Sequence, residues 1–333
     1  MKKIIEKIFL KTNLDLEESQ RVMGLILEGE ASNEQTAVFL GALQVKGVTT
    51  NELVGFLKML MSYSRKVDIA REDVIDVCGT GGDKSGSFNI STATAFVVAG
   101  AGGAVAKHGN RSVSSLCGSA DVLEALGIKI GLTTEKTVKC VEDIGFGFFF
   151  APDYHPILAK VSQIRKSIGV PTMFNLLGPL ANPARVKRQL LGVYDSAKTE
   201  LLAEVLRDLK SIEAMVVCSS DGLDEFSLSQ TTKTAHLFNG QIKTSYVKPE
   251  DFGFHKASVV NLIGGDAKKN AQIIVSVLAG EKGDKRDTVV INASAALVIA
   301  GRAKNFFEGT SIANEAIDSG NAFKILEKLR KVK

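Results

Sequence analysis

The first segment with the potential for chemistry is a glycine-rich run over residues 76–92, DVCGTGGDKSGSFNIST. Glycine lets a backbone curl so that its amide N–H groups converge, and Asn89, Ser91 and Thr92 add side-chain donors where a helix is expected to begin. Such a loop binds phosphate or pyrophosphate, although its spacing matches neither a Walker loop nor a dinucleotide-binding loop, and a simple chain reversal is the alternative. Because Asp83 would repel phosphate unless it bonds turn amides or a metal ion, we expect magnesium nearby.

A second polar segment, KHGNRSVSS at residues 107–115, follows a predicted strand. It combines two cations with the imidazole of His108, the amide of Asn110 and three serine hydroxyls. Open α/β sheets bind ligands at the carboxyl ends of their strands, so the segment predicts an anion site with Lys107 as one cation. A solvated basic turn is the alternative. Ser119 follows, where we expect it to cap the next helix and to offer amides to the anion.

A pair of adjacent carboxylates, Asp224 and Glu225, occurs in the segment DGLDEFS after another predicted strand. Paired carboxylates on such a loop suit Mg²⁺, which is commonly shared with a substrate diphosphate. An ordinary acidic turn is the alternative interpretation.

Arg165 lies on a predicted helix just before Val170 and Pro171, and the segment NLLGPL follows at residues 175–180. A guanidinium can hold a carboxylate through two parallel hydrogen bonds. The alternative is a surface cation on an amphipathic helix.

The first 64 residues are predicted to form helices only. Apolar positions recur at helical spacing over residues 14–27, Ser32 begins a second helix that extends through residue 43, and Thr50 is expected to cap a third over residues 53–61. The N-terminal residues alternate charged and apolar types, which indicates a helix and not a signal peptide.

After residue 71 the periodicity changes, and strand and helix patterns are predicted to alternate to the end of the chain. Asn239 and Gly240 predict a type I′ hairpin between residues 234–238 and 241–247, at the periphery. A helix over 157–168 is followed by Val-Pro and Gly-Pro pairs that favour turned backbone. The remaining strands are predicted at residues 74–77, 104–106, 146–150, 190–194 and 214–218, and the remaining helices at residues 121–126, 135–143, 198–209 and 267–278, with one more beginning near residue 91.

Composition excludes several classes of protein. The chain has 333 residues, 45% hydrophobic and 23% charged, which is typical of a folded globular protein. A net charge of +4 without a basic tail does not favour nucleic acid as a partner. No apolar run is long enough for a membrane span, and the best candidate, residues 93–106, contains three glycines. Four dispersed cysteines without a CxxC pair indicate buried, reduced thiols in a cytoplasmic protein.

Eight motifs taken in order resemble the anthranilate phosphoribosyltransferase family over nearly the whole chain: GTGGD, FNIST, KHGNRSVSS, GSADVLEALG, YHP, NLLGPLANP, DGLDEFSLS and IGGDAKKNA. The resemblance implies an α/β fold of the nucleoside phosphorylase and phosphoribosyltransferase class, with a small all-helical N-terminal domain and a large α/β domain around a central mixed, mostly parallel sheet. We expect boundaries at 1–64, joined by part of 157–185, and 65–333. It also implies a homodimer formed through the helical domain.

The activity implied is Mg²⁺-dependent transfer of the phosphoribosyl group of phosphoribosyl pyrophosphate (PRPP) to the amine of anthranilate, in tryptophan biosynthesis. The family's PRPP contacts correspond to Gly79, Gly82, Asp83, Asn89, Ser91, Thr92, Lys107 and Ser119. The metal ligands correspond to Ser91, Asp224 and Glu225. The anthranilate side corresponds to Gly79, His108, Asn110, Arg165 and Pro179, where Gly178 and Pro179 are expected to form a turn.

The sequence departs from the family pattern at two places. Many members have Lys-Ser where this chain has Leu116 and Cys117, so no lysine at 116 can bind the ribose phosphate. Lys84 replaces a glycine, which changes the expected flexibility of the glycine-rich loop.

Transfer from PRPP requires stabilisation of departing pyrophosphate and positioning of the amine, and no strong nucleophile from the protein. His108 can orient the amine or accept its proton late, and the sequence leaves both roles open.

A pyrimidine nucleoside phosphorylase is the nearest alternative family, but its lysine motif is of the KxSGR type and it lacks the acidic pair. A non-catalytic nucleic-acid-binding relative would lack these loops.

Overall fold

A computed structural model describes residues 1–83, 85–112 and 116–333. The Lys84 departure and the hydroxyls of Ser114 and Ser115 therefore lie outside the described residues.

One seven-stranded sheet organises the large part of the chain, in the order β3-β2-β1-β4-β5-β6-β7. The first five strands in this order run parallel, and β6 and β7 pair antiparallel at one edge. The sheet is thus mixed and mostly parallel, as predicted. The strands are β1 Val74–Gly79, β2 Ala104–Gly109, β3 Phe146–Phe150, β4 Arg188–Gly192, β5 Glu213–Ser219, β6 Thr232–Phe238 and β7 Gln241–Val247.

Helices cover both faces of the sheet. Short 3₁₀ helices span Pro156–Leu158, Ser196–Lys198, Pro249–Phe252 and Val259–Leu262, and a π-helical turn, Cys140–Ile144, continues α7. The α-helices are α1 Lys2–Phe9, α2 Leu16–Glu28, α3 Asn33–Lys46, α4 Thr50–Ser62, α5 Ile90–Gly100, α6 Ser119–Ala125, α7 Thr134–Lys139, α8 Ala151–Tyr154, α9 Ala159–Ile168, α10 Met173–Leu180, α11 Thr199–Asp208, α12 Ala267–Leu278, α13 Asp284–Ile299, α14 Phe306–Asp318 and α15 Asn321–Arg330.

Strand alternation divides the interior into two large apolar cores. Val77 and its neighbours on one face pack with α5 and the C-terminal helices α12–α15. Cys78, Leu191 and Val216 on the other face share a core with α1–α4 and α9–α11. The helical N-terminal unit is therefore packed on the same side of the sheet as α9 and α10, which contact α2, α3 and α4. The exact domain boundaries remain a prediction.

A buried ion pair holds the helical N-terminal unit together. The Glu52 carboxylate accepts hydrogen bonds from the backbone N–H of Leu14 at 3.0 Å and of Thr49 at 2.8 Å, and from Lys46 Nζ at 3.0 Å. The Glu52 side chain is fully buried and that of Lys46 is 3% exposed. Three helices thus converge on one carboxylate.

Several sequence predictions are wrong in detail. Thr49, three residues before Glu52, caps α4 in place of Thr50, because only that spacing closes a reciprocal capping box. Gly118 precedes α6, so Ser119 is its first helical residue and not its cap. Beyond residue 247 the described chain forms helices only, without the expected alternation, because these helices cover one face of a sheet that is already complete.

The predictions for the hairpin and for the cysteines are confirmed. The hairpin turn has positive φ at Asn239 and Gly240, and its two strands extend the main sheet at its edge. All four cysteines are free and buried. No helix of the described residues has the length and apolarity needed to span a membrane.

We predict that Glu52→Gln will lower the free energy of unfolding by about 3–5 kcal/mol, because it leaves the Lys46 charge buried without its partner. Urea unfolding measures this loss. Glu30→Gln, at an exposed position on the same unit, is the control and should change stability by less than about 0.5 kcal/mol. Equal unfolding midpoints for the two variants would contradict the assignment.

Candidate active site

Four strands deliver loops to one edge of the sheet. The chain passes from β1 to β2 and β3 on one side and then returns to place β4 beside β1. Ligands bind at the carboxyl edge beside such a reversal of strand order. At this edge Gly79 is paired with Gly192, and the loops that follow β1, β2, β4 and β5 converge.

The glycine-rich loop after β1 has an open backbone. Gly81, Gly82 and Gly86 have φ values of 61°, 83° and 66°, which side chains rarely tolerate. Asp83 accepts hydrogen bonds from the Ser85 backbone N–H and hydroxyl, so it bonds its own turn, one of the two alternatives that the sequence left open. Among the described residues, the N–H groups of Gly82 and Asp83 meet no hydrogen-bond acceptor. These two amides can bind an anion.

The polar side chains at the start of α5 differ in whether they are free to bind a ligand. The Asn89 amide is already engaged, since it donates to the Cys117 carbonyl at 3.2 Å and accepts from Asn270 at 3.0 Å. The Thr92 hydroxyl is buried and has no hydrogen-bond partner among the described residues. Ser91 is partly exposed and its hydroxyl accepts from Lys107.

Lys107 is directed beneath the loops and not out into the cleft, the space at the carboxyl edge of the sheet between the loops after β1, β2, β4 and β5. It is 2% exposed, and its Nζ donates to the Val77 carbonyl at 2.5 Å and to Ser91 Oγ at 3.2 Å. Burial lowers the pKa of Lys107, while the carboxylates of Asp76, Asp224 and Glu225 oppose that shift. In this structure the lysine reaches the site through Ser91.

Asp224 and Glu225 lie beside the glycine-rich loop, on the segment after β5. Asp224 is partly exposed and accepts from the Gly81 N–H at 3.0 Å. Burial of its carboxyl group, with the nearby Asp83 charge, raises the pKa of Asp224 to about 7. Burial and the charge of Asp224 raise the pKa of Glu225 well above its usual range, although the backbone N–H of Ser91 donates to it.

Two glycines make room for these carboxylates. A Cβ on Gly192 would overlap the backbone carbonyl of Asp224, and a Cβ on Gly79 would overlap its carboxylate. The close approach of the strand ends to Asp224 therefore requires glycine at both positions.

The donor set fits a magnesium ion. Asp224 and Glu225 form no salt bridge with any lysine or arginine of the described residues, and the hydroxyl of Ser91 is a further oxygen donor nearby. Two desolvated carboxylates without a salt-bridge partner favour a hard divalent cation with oxygen ligands.

His108 is buried beneath the opposite side of the cleft. Its Nδ1 faces Asp76 Oδ2 at 2.5 Å and its Nε2 faces the Gly178 carbonyl at 2.8 Å. Burial alone would lower the pKa of His108, but the Asp76 carboxylate reverses this effect and raises it. Because both ring nitrogens face acceptors, neither has a free lone pair to accept a proton from a substrate.

Asp76, Cys78 and His108 are the one group of three His, Cys, Asp or Glu side chains in the described chain whose potential ligand atoms lie within 4.8 Å of one another. The direct contact between Asp76 and His108 leaves no room for a metal ion between them. We interpret the cluster as a hydrogen-bonded network.

Arg165 is half-buried on α9, with its guanidinium carbon 5.3 Å from the centre of the Phe174 ring. No carboxylate of the described residues forms a salt bridge with it, and burial lowers its pKa from the usual arginine value. A carboxylate can therefore bind there. Arg111, the second cation of the basic segment, already forms salt bridges with Asp121 and Glu124, so it is not free to bind a substrate carboxylate.

The remaining predicted residues lie after β2 and at the end of α10. Asn110 is exposed, with its side-chain oxygen accepting from the Arg111 N–H at 2.7 Å. Ser119 donates to the Asn110 carbonyl at 3.4 Å. The predicted turn at Gly178 and Pro179 is wrong, because both residues lie in the last turn of α10, where Pro179 is buried and Gly178 is exposed.

Sequence reasoning missed three buried residues that support this cleft: Asp76, Asn182 and Gln189. The Asn182 amide donates to Asp76 and to the Ala106 carbonyl, both at 2.8 Å, and Gln189 donates to the Pro179 carbonyl at 2.7 Å. The available signal was a carboxylate and two amides within or next to apolar strands, where an unpaired polar group is costly.

Comparisons with known proteins agree with this geometry. A family described as "Glycosyl transferase family, helical bundle domain" matches residues 2–64, and one described as "Glycosyl transferase family, a/b domain" matches residues 71–323. The anthranilate phosphoribosyltransferase of Petrotoga mobilis is 45% identical, over 98% of this chain and 94% of its own length.

Solved structures of the same enzyme share the fold. That from Thermus thermophilus has a TM-score of 0.93 and 36% identity, with 98% of each chain covered. That from Saccharomyces cerevisiae in complex with PRPP and Mg has a TM-score of 0.85 and 29% identity, with 94% of this chain and 91% of that chain covered. The resemblance noted in the sequence is confirmed, and the chain belongs to the anthranilate phosphoribosyltransferase family.

Proposed function

We propose that this enzyme transfers the phosphoribosyl group of PRPP to the amine of anthranilate, giving N-(5-phosphoribosyl)anthranilate and pyrophosphate for tryptophan biosynthesis. One observation carries the proposal: a loop with two free amides lies against two uncompensated carboxylates at the reversal of strand order. A diphosphate with its magnesium satisfies both groups at once. The family membership of the chain supports the same reaction.

The pyrophosphate side consists of the glycine-rich loop and the start of α5. We assign PRPP contacts to the amides of Gly82 and Asp83 and to the partly exposed hydroxyl of Ser91. Lys107 supplies buried positive charge beneath this loop. The remaining proposed PRPP residues are Gly79, Asn89, Thr92 and Ser119, of which Asn89 must exchange its present hydrogen bonds to contact substrate directly.

Magnesium is the cofactor that we propose, held by Asp224 and Glu225 with Ser91 as a further ligand. When bound, it neutralises the pyrophosphate leaving group as negative charge develops there. Its presence in the structure of the yeast relative supports this assignment. Gly79 and Gly192 keep the carboxylates close to the loop because neither carries a side chain.

The acceptor side consists of Arg165, Asn110, His108 and the end of α10. Arg165 stacks on Phe174 with its hydrogen-bond donors available, so it can hold the carboxylate of anthranilate. The amine of anthranilate carries its own lone pair and is the nucleophile. Because both nitrogens of His108 are occupied, we propose that His108 positions the acceptor and does not remove its proton.

We propose a cytoplasmic homodimer. Free, buried thiols suit a reducing compartment. We propose that the helical domain consists of residues 1–64 with part of 157–185. It exposes four apolar side chains, one on α1, one directly after α1 and two on the adjacent α3. They are Phe9, Leu10, Val38 and Val45, exposed by 62%, 80%, 44% and 81%. An exposed apolar cluster of this kind is typical of an interface.

Turnover should require PRPP, anthranilate and Mg²⁺, and it can be followed by the loss of anthranilate fluorescence. The double variant Asp224→Asn, Glu225→Gln should abolish it, because the pyrophosphate then loses its metal. The exposed adjacent pair Glu250→Gln, Asp251→Asn is the matched control. Near-normal activity of the first variant with unchanged magnesium dependence would refute the metal site.

Arg165→Ala should raise the KM for anthranilate by about ten- to 150-fold, the effect of losing a charge-assisted contact worth roughly 1.5–3 kcal/mol. The KM for PRPP should change little. Steady-state kinetics with Lys166→Ala, an exposed cation on the same helix, provides the comparison. If both KM values rise equally, Arg165 does not bind the acceptor.

The protein should have a mass of about 71 kDa by light scattering, twice the chain mass of 35.6 kDa. Val45→Glu should give the monomer mass, because it places a charge in the proposed interface. Val260→Glu, at an exposed valine on the large domain, should remain dimeric. A monomer mass for the unaltered protein at micromolar concentration would exclude the dimer.

A further inference from the structure

We propose that Asp76 is a positioning residue for the acceptor side of the site: it holds His108 as a ring that donates from both nitrogens, and His108 in turn fixes the end of α10. The proposal rests on the proposed function for its kinetic consequence. The hydrogen-bonding state of the ring can be tested without any assay of activity.

Asp76 is surrounded by donors only. It is fully buried, and its carboxylate accepts from the His108 backbone N–H at 3.3 Å, from the His108 ring at 2.5 Å and from the Asn182 amide at 2.8 Å. Gln189 adds a longer contact at 3.4 Å. A carboxylate that accepts several hydrogen bonds is stabilised in its ionised form, and Asp76 therefore provides a fixed negative charge beneath the cleft.

The other nitrogen of the ring determines the proton count. Nε2 of His108 lies 2.8 Å from the Gly178 carbonyl, which can only accept a hydrogen bond. Nε2 must therefore carry a proton. Because Nδ1 faces an ionised carboxylate, it carries one as well, and the ring is an imidazolium.

The end of α10 depends on this ring. The last carbonyls of a helix lack partners within the helix, and a cation there is favoured by the helix dipole. The Gly178 carbonyl is bound by His108, the Pro179 carbonyl by Gln189 and the Ala181 carbonyl by His155 at 2.7 Å. Phe174, on which Arg165 stacks, belongs to the same helix. The network thus links Asp76 to the proposed carboxylate clamp.

The groups around the ring are known from each neighbouring segment. Asp76 and Cys78 face it from β1, Lys107 precedes it on β2, and His155 lies beyond it after α8. Burial raises the pKa of the Cys78 thiol, and burial lowers the pKa of His155, so both are uncharged near neutral pH. Asp76 is therefore the negative charge among these groups, and Lys107 opposes the imidazolium.

The direct test is ¹⁵N NMR of the full-length protein labelled at histidine, with the His108 signals assigned by their loss in His108→Gln. In the unaltered protein both His108 nitrogens should remain protonated at about pH 8, well above the ordinary histidine pKa of about 6.5. A neutral ring at that pH would overturn the proposal. This measurement needs no variant of Asp76 to fold.

Asp76→Asn removes the charge with little change in shape, so the pKa of His108 should fall to about 6.5 or below. The ring should then be neutral at about pH 8. In the activity assay this variant should raise the KM for anthranilate about ten-fold or more, with the KM for PRPP changed less than about two-fold. Asp73→Asn, at a half-buried ion pair just before β1, is the matched control and should leave the His108 signals and both KM values unchanged.

The outcomes separate the two proposals. If His108 is an imidazolium in the unaltered protein but the protein does not consume anthranilate, the proposed function is overturned. The protonation state proposed for His108 is then still supported. Normal turnover with an unchanged His108 titration in Asp76→Asn would overturn the positioning role alone.

Discussion

The site depends on a single crossing of the chain, the return from β3 that places β4 beside β1. This crossing brings Gly79 and Gly192 into register, and the absence of side chains at both allows the segment after β5 to bring Asp224 against the glycine-rich loop. Parallel strands then direct every catalytic loop to one edge. A side chain at either glycine would push Asp224 away from the glycine-rich loop, and so would separate the proposed metal ligands from the proposed diphosphate site.

The charges of the site are arranged in two parts that differ in how they are satisfied. Asp76 and His108 neutralise each other within a complete hydrogen-bond network. Asp224 and Glu225 remain without a salt bridge, with Lys107 as the nearest buried cation. The first part is therefore preorganised in the absence of ligands. The second lacks a compensating cation, which is why we propose that magnesium and pyrophosphate bind together at this edge.

The proposed acceptor side is built on the end of α10, which hydrogen bonds from other elements hold in place. Three carbonyls at the end of α10 are held by side chains from β2, β4 and the segment after α8. The same helix provides the aromatic ring beneath Arg165. In the proposed site, an acceptor bound by Arg165 is held by the same sheet that holds the pyrophosphate loop, so that both substrates are fixed relative to each other.

The sequence alone identified the helical N-terminal unit and the three polar segments, because glycine runs, adjacent carboxylates and hydrophobic periodicity are local patterns. Its motifs identified the family, and the mixed sheet was expected from that resemblance. It could not show that Lys107 is directed inward, that Arg111 is paired with Glu124, or that Gly178 and Pro179 end a helix. Nor could it assign a role to Asp76, Asn182 or Gln189, which are separated in sequence by up to 113 residues. Those features depend on which strands become neighbours and which side chains lose water, and only the tertiary structure decides both.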